Sequence, residues 1–221
     1  MNKTGAPIIR ATHYIKLVYR SALLVAAVVL YMTCGFSDRR VFFAGIAVWA
    51  VFMAEMILRM FPMPFDSMGS RKQFKKYYIP SEGETKPNGI RTFITAVSWL
   101  LLNAVIGALY FAGIIDSGAL ILISLFYAVC DMICVLVFCP FQKWLLKTRC
   151  CTTCRIYNWD YAMMFTPLIF LRGFFPTSLF IMSVIVLLQW EIKHLFRREY
   201  FYETANKSLM CENCKEKNCR R

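Results

Sequence analysis

Six cysteines near the C-terminal end of the chain fall in two short runs, Cys150, Cys151, Cys154 and Cys211, Cys214, Cys219. Cys151/Cys154 and Cys211/Cys214 are Cys-x-x-Cys pairs, the spacing at which one tight turn presents two sulfurs to a single metal ion. The two pairs together supply four thiolates, enough for a closed tetrahedral zinc site. Cys150, Cys219, Cys139 and His194 are the additional candidate ligands. An iron–sulfur cluster also takes four cysteines and is the alternative cofactor, although the tail order Cys-x-x-Cys-x-x-x-x-Cys differs from the common ferredoxin runs. Reactive thiols passing electrons without a metal are the third chemistry these residues could support. Arg155 and Lys215 directly follow the two pairs and offset the negative charge of a four-thiolate zinc complex.

The elements that must hold these residues read as membrane. Of 221 residues, 58% are hydrophobic and only 18% charged, where a soluble domain carries about a quarter charged. The apolar residues come in unbroken blocks, and a bilayer core about 30 Å thick requires blocks of about 18 or more. Backbone polar groups cannot stay unpaired in hydrocarbon, so the blocks are helices. The fold class is therefore all-α, a polytopic helical membrane protein of about six spans with a small cytoplasmic Cys-ligated metal site.

The spans are placed at Ile15–Cys34, Val41–Phe61, Phe93–Ile115, Ala119–Cys139, Tyr161–Phe175 and Pro176–Phe196. Arg172, Gly173 and Pro176 suit a tight hairpin between the last two, with Pro176 in the first turn of the final helix. A single bent helix and a re-entrant pair are the competing readings. Residues 1–196 form the bundle, and residues 197–221 form a cytoplasmic tail expected to pack on the loop 140–160. The first span lacks a small-x-small cleavage site and reads as an uncleaved anchor.

Orientation follows from basic residues. Of the 26 Lys and Arg, all but Arg39, Arg40 and Arg172 flank the same ends of these spans, which puts both termini in the cytoplasm. There, structural disulfides are rare, so the clustered thiols point to metal or redox chemistry. The net charge of +13 is explained by anionic headgroups of the bilayer, and no nucleic-acid partner is expected. The basic and aromatic stretch from Ser70 to Tyr78 reads as a segment lying on the inner leaflet.

Ionisable residues inside spans are costly and mark candidate sites. Glu55 and Arg59, four apart on one helix face, are expected to neutralise each other. Asp131 has no partner in its own helix; Arg59, Asn103 or a proton are its candidates. Cys130 and Cys134 share a helix face, but regular helical phase would turn Cys139 to the opposite side, so they read as small hydrophobes. Glu191 and His194 have the Glu-x-x-His spacing of carboxylate-bridged metal bundles but lack a second copy. Asn158 or Asp160 is expected to cap the fifth helix.

No Gly-rich phosphate loop, nucleophile elbow, zinc-protease motif or internal repeat is present, so no standard enzyme signature supports catalysis. The sequence thus supports a membrane protein with a structural zinc, a small transporter or scaffold, and alternatively a membrane redox component.

Overall fold

The computed structural model describes residues 5–33, 39–61, 72–83, 89–148 and 153–213. Within them the chain is helical, with α1 Gly5–Thr33, α2 Arg39–Arg59, α3 Gly89–Phe111, α4 Ser117–Leu136, α5 Asp160–Phe165 and α6 Phe174–Phe196. Ala11–Thr33, Gly89–Phe111, Ser117–Leu136 and Phe174–Phe196 are each long and apolar enough to cross a bilayer. Val25, Leu100, Leu101, Ile181 and Leu188 on these helices are all more than half exposed, an outer surface that suits hydrocarbon and not water. Phe52, Met56, Leu120, Met164, Val186 and Trp190 pack at the centre.

Cross-helix contacts fix the directions. Arg20 reaches Asp131 while Tyr31 reaches Asp116, so α1 and α4 are antiparallel. Trp49 donates to Ser178 and Gln189 to the Met60 carbonyl, so α2 and α6 run parallel. The α3–α4 turn uses Gly113 at φ 73°, a left-handed conformation that glycine adopts without strain. Asp116 then caps α4, its carboxylate accepting from the Ala119 N–H at 2.8 Å.

The expected fifth span is not a continuous transmembrane helix. It consists of the six-residue α5 followed by a five-residue 3-10 segment, Thr166–Phe170. Together these rise roughly 19 Å, short of the roughly 30 Å of a bilayer core. Pro167 accounts for the change, because it has no N–H to continue the α-helical ladder. The segment begins at Asp160, beside Arg59, and ends with Phe170 against Phe111 at the far end of α3. Gly107 lets this irregular chain approach, since a Cβ there would lie 2.4 Å from the Phe170 ring. Gly173, at φ 137°, then turns the chain into α6, and Pro176 falls in its first turn as expected.

The tail has a partner that the sequence reading left out. Residues 197–213 dock on 72–83 through Ser81 N–H to the Ala205 carbonyl (3.0 Å) and Lys207 N–H to the Ile79 carbonyl (2.9 Å). Buried Asn206 donates to the carbonyls of Lys72 (3.1 Å) and Tyr200 (3.0 Å) and accepts from the Ser208 hydroxyl (2.7 Å). The 72–78 stretch is consequently not a surface segment along its length. Lys72, Gln73 and Phe74 are buried, and only Lys75 and Lys76 are exposed. Phe74 packs edge-on to Trp190, and the Lys193 ammonium lies 3.8 Å and 4.0 Å from the centres of those two rings.

Candidate functional site

Asp131 stands between two different environments, a cluster of charges and a pocket of thiols. The charges come from four helices. Arg20, 2% exposed, places one guanidinium nitrogen 3.0 Å from Asp131 and 3.1 Å from the Ala128 carbonyl, and the other 2.9 Å from Glu55. Lys16 reaches the same Glu55 at 3.2 Å, and Tyr19 and Tyr161 donate to it at 2.7 and 3.2 Å. Arg59 pairs with Asp160 at 3.2 Å and stands over the Tyr157 ring. Three cations thus meet three carboxylates, which matters because a buried charge without a counter-charge costs several kcal/mol.

This arrangement corrects three sequence expectations. Glu55 and Arg59 each find a partner on another helix: Glu55 pairs with Lys16 and Arg20 of α1, and Arg59 pairs with Asp160 of α5. Asp131 takes Arg20 and not Arg59 or Asn103, and Asn103 instead donates to the Trp99 carbonyl of its own helix at 3.0 Å. Asp160 is the first residue of α5 but no side chain caps that helix; Asn158 bonds Gln73 and Arg59. Arg20 was visible in sequence as a charge six residues inside the first apolar block, and counting it only as a topological signal hid its role.

On the other side of Asp131 lies a cavity of about 280 Å³ lined by Cys130, Cys134, Cys139, Cys154, Met163 and Met164, with Trp99, Tyr127 and Phe141. Helical spacing puts Cys130 and Cys134 on one face of α4. Cys139 joins them because α4 stops at Leu136. Pro140 disfavours helical backbone at the residue before it, so Cys139 leaves the helical phase that would have turned it away. Its sulfur accepts the Gln142 N–H at 3.4 Å. A π-helical turn, Phe141–Leu146, ends at Lys147 in left-handed conformation (φ 51°), and the returning chain buries Cys154 against Leu146 and Ile156.

Of the zinc ligands expected from sequence, Cys151 and Cys214, with Cys150 and Cys219, lie outside the described residues. Cys211 starts a 3-10 turn, and its side chain is likewise outside the description. Cys154 is the located member, and it faces the cavity. Among the described residues, no three or more His, Cys, Asp or Glu side chains are grouped to hold a metal ion. His194 packs on Phe201 and Tyr202, 3.4 Å from the Tyr202 hydroxyl, at the junction of α6 and the tail. Glu191 is held by Arg155 (2.8 Å to one guanidinium nitrogen) and by the Trp159 indole N–H at 2.6 Å. The α4–α5 connection is therefore fastened to α6 by an ion pair and an indole.

No protein-family model, curated protein or solved structure matches the chain, so its helical architecture and this cavity stand on their own geometry.

Proposed function

We propose that the protein is a small membrane transporter of a soft, sulfur-seeking metal ion, which it handles in the thiol cavity. The observation that carries this reading is the convergence of Cys130, Cys134, Cys139 and Cys154 with two methionines on one cavity. Thiolate and thioether donors select soft metals over calcium or magnesium. The chain crosses the bilayer six times, the fifth time by the broken segment 160–173, with both termini and the second cysteine-rich run in the cytoplasm. Parallel α2 and α6 support that count, because the chain must return across the bundle between α4 and α6. Non-helical backbone at membrane depth is tolerated where it lines a cavity, and Cys139, Pro140, Cys154, Ile156 and Tyr157 of the α4–α5 connection do that. The ion pairs of Arg20 and Arg59 hold the helices around the site. Cys150, Cys151, Cys211, Cys214 and Cys219 then serve as cytoplasmic thiols that receive the ion, in place of a structural zinc clamp.

The presence of Cys134 and Cys139 on one cavity wall favours one second reading, dithiol–disulfide exchange with a partner protein. Proteoliposomes separate the two. Uptake of Cu(I) or Ag(I) above that of empty liposomes, abolished by thiol alkylation, supports transport. Absence of uptake together with a reversible Cys134–Cys139 disulfide would establish the redox reading.

A further inference from the structure

We infer that Cys134 and Cys139 form a two-coordinate site selective for monovalent copper, Cu(I). The inference rests on the transport reading for its meaning and on four structural observations for its content.

First, these two thiols come from different backbone environments, a regular helix and the stretch beyond its end at Leu136, yet both line one cavity. Second, the Gln142 N–H points at the Cys139 sulfur, at 3.4 Å. A backbone N–H aimed at sulfur is the outer-shell partner that a metal-bound thiolate uses to hold its orientation and spread its charge. Third, the two carboxylates on the cavity wall, Asp131 and Asp160, are held by Arg20 and Arg59, which leaves sulfur as the donor set. Zinc favours four ligands, and here it would have to compete with Arg20 and Arg59 for the carboxylates or take waters. Cu(I) is satisfied by two thiolates and tolerates the nearby thioethers of Met163 and Met164. Fourth, Cys154 lies on the same cavity and is three residues beyond Cys151 in sequence. It provides the next sulfur for ligand exchange toward the cytoplasmic run.

Binding is balanced without oxidation. Two S–H bonds break and two S–Cu bonds form, copper stays Cu(I), and two protons leave as the bis-thiolate forms. Cys130 is a lining thiol and not a ligand, because it sits one helical turn before Cys134, on the side away from Cys139.

The test is anaerobic Cu(I) titration of the full-length protein in detergent against a competing chelator, with X-ray absorption at the copper edge. The expected result is one tight Cu(I) with two sulfur neighbours, and a loss of at least about a hundredfold in affinity in Cys134→Ser and in Cys139→Ser. Copper bound by three or four sulfurs in the wild-type protein overturns the inference, and that spectrum requires no variant to fold. Unchanged affinity in the Cys134→Ser/Cys139→Ser double variant, or tighter Zn(II) than Cu(I) at these thiols, does so as well. Failure here is distinguishable from failure of transport: vesicles that move Zn(II) but ignore the Cys134 and Cys139 substitutions leave the transporter reading intact. Tight two-sulfur binding without uptake leaves the site intact and removes the transporter.

Discussion

The Arg20 guanidinium lies 3.0 Å from the Asp131 carboxylate, joining the middle of α1 to the C-terminal half of α4. That ion pair is almost fully shielded from solvent on the arginine side, with Arg20 2% exposed. The same side chain also holds Glu55, so one residue neutralises carboxylates from two helices.

Arg20→Leu should therefore be among the most destabilising single changes in the bundle. It leaves Asp131 without its cation and Glu55 with Lys16 alone, at an expected cost of about 3–5 kcal/mol. Thermal unfolding in detergent reads this. Asp131→Leu added to Arg20→Leu should recover part of the loss, because an apolar pair of similar volume removes the orphaned charge.

The partner of Arg59 can be read by a double-mutant cycle. Arg59→Met and Asp160→Leu should couple by about 0.5–3 kcal/mol, as contacting charges do. Arg59→Met and Glu55→Leu should couple less strongly than Arg59→Met and Asp160→Leu do, because the ion pairs of Arg59 and Glu55 run to different helices. The reverse pattern would restore the in-helix Glu55–Arg59 pair that sequence spacing suggests.

Gly83→Ala should loosen the tail. A Cβ at Gly83 would lie 2.3 Å from the Thr204 carbonyl oxygen, a backbone atom with little freedom to move. Limited proteolysis should cut residues 197–213 faster in this variant. Gly45→Ala is the control: no atom lies within 4 Å of its Cβ position, and alanine in an exposed helix interior should be neutral or stabilising by up to about 1 kcal/mol.

Asn206→Ala should weaken the same docking by a different route. It leaves the carbonyls of Lys72 and Tyr200 without their buried donor, an expected loss of about 2–3 kcal/mol at roughly 1 kcal/mol or more per bond. Hydrogen exchange at Ile79, Ser81 and Ser208 should accelerate while α3 and α4 keep their protection.

The helices were legible because their signal is local. Long apolar blocks, Gly173 and Pro176 each state their consequence within a few residues. What was missed depends on partners distant in sequence. Glu55 and Arg59 have ideal helical spacing, yet each finds a better partner on another helix, and no sequence period announces that. The 72–83 and 197–213 segments meet through backbone hydrogen bonds and a single Asn206, which leave no periodic pattern. Cys139 was readable in principle, since the residue before Pro140 is disfavoured in a helix; extending the fourth span through it concealed the thiol cavity. Pro167 likewise announced the break in the expected fifth span.

The most direct measurement of the cavity's function is Cu(I) uptake by proteoliposomes holding the wild-type protein or the Cys134→Ser/Cys139→Ser variant, each first shown to be folded by size exclusion and thermal melting. Saturable uptake by the wild type and uptake by the variant no greater than that of empty liposomes is the expected outcome. Equal uptake by both proteins, or none by either, would contradict transport through these thiols.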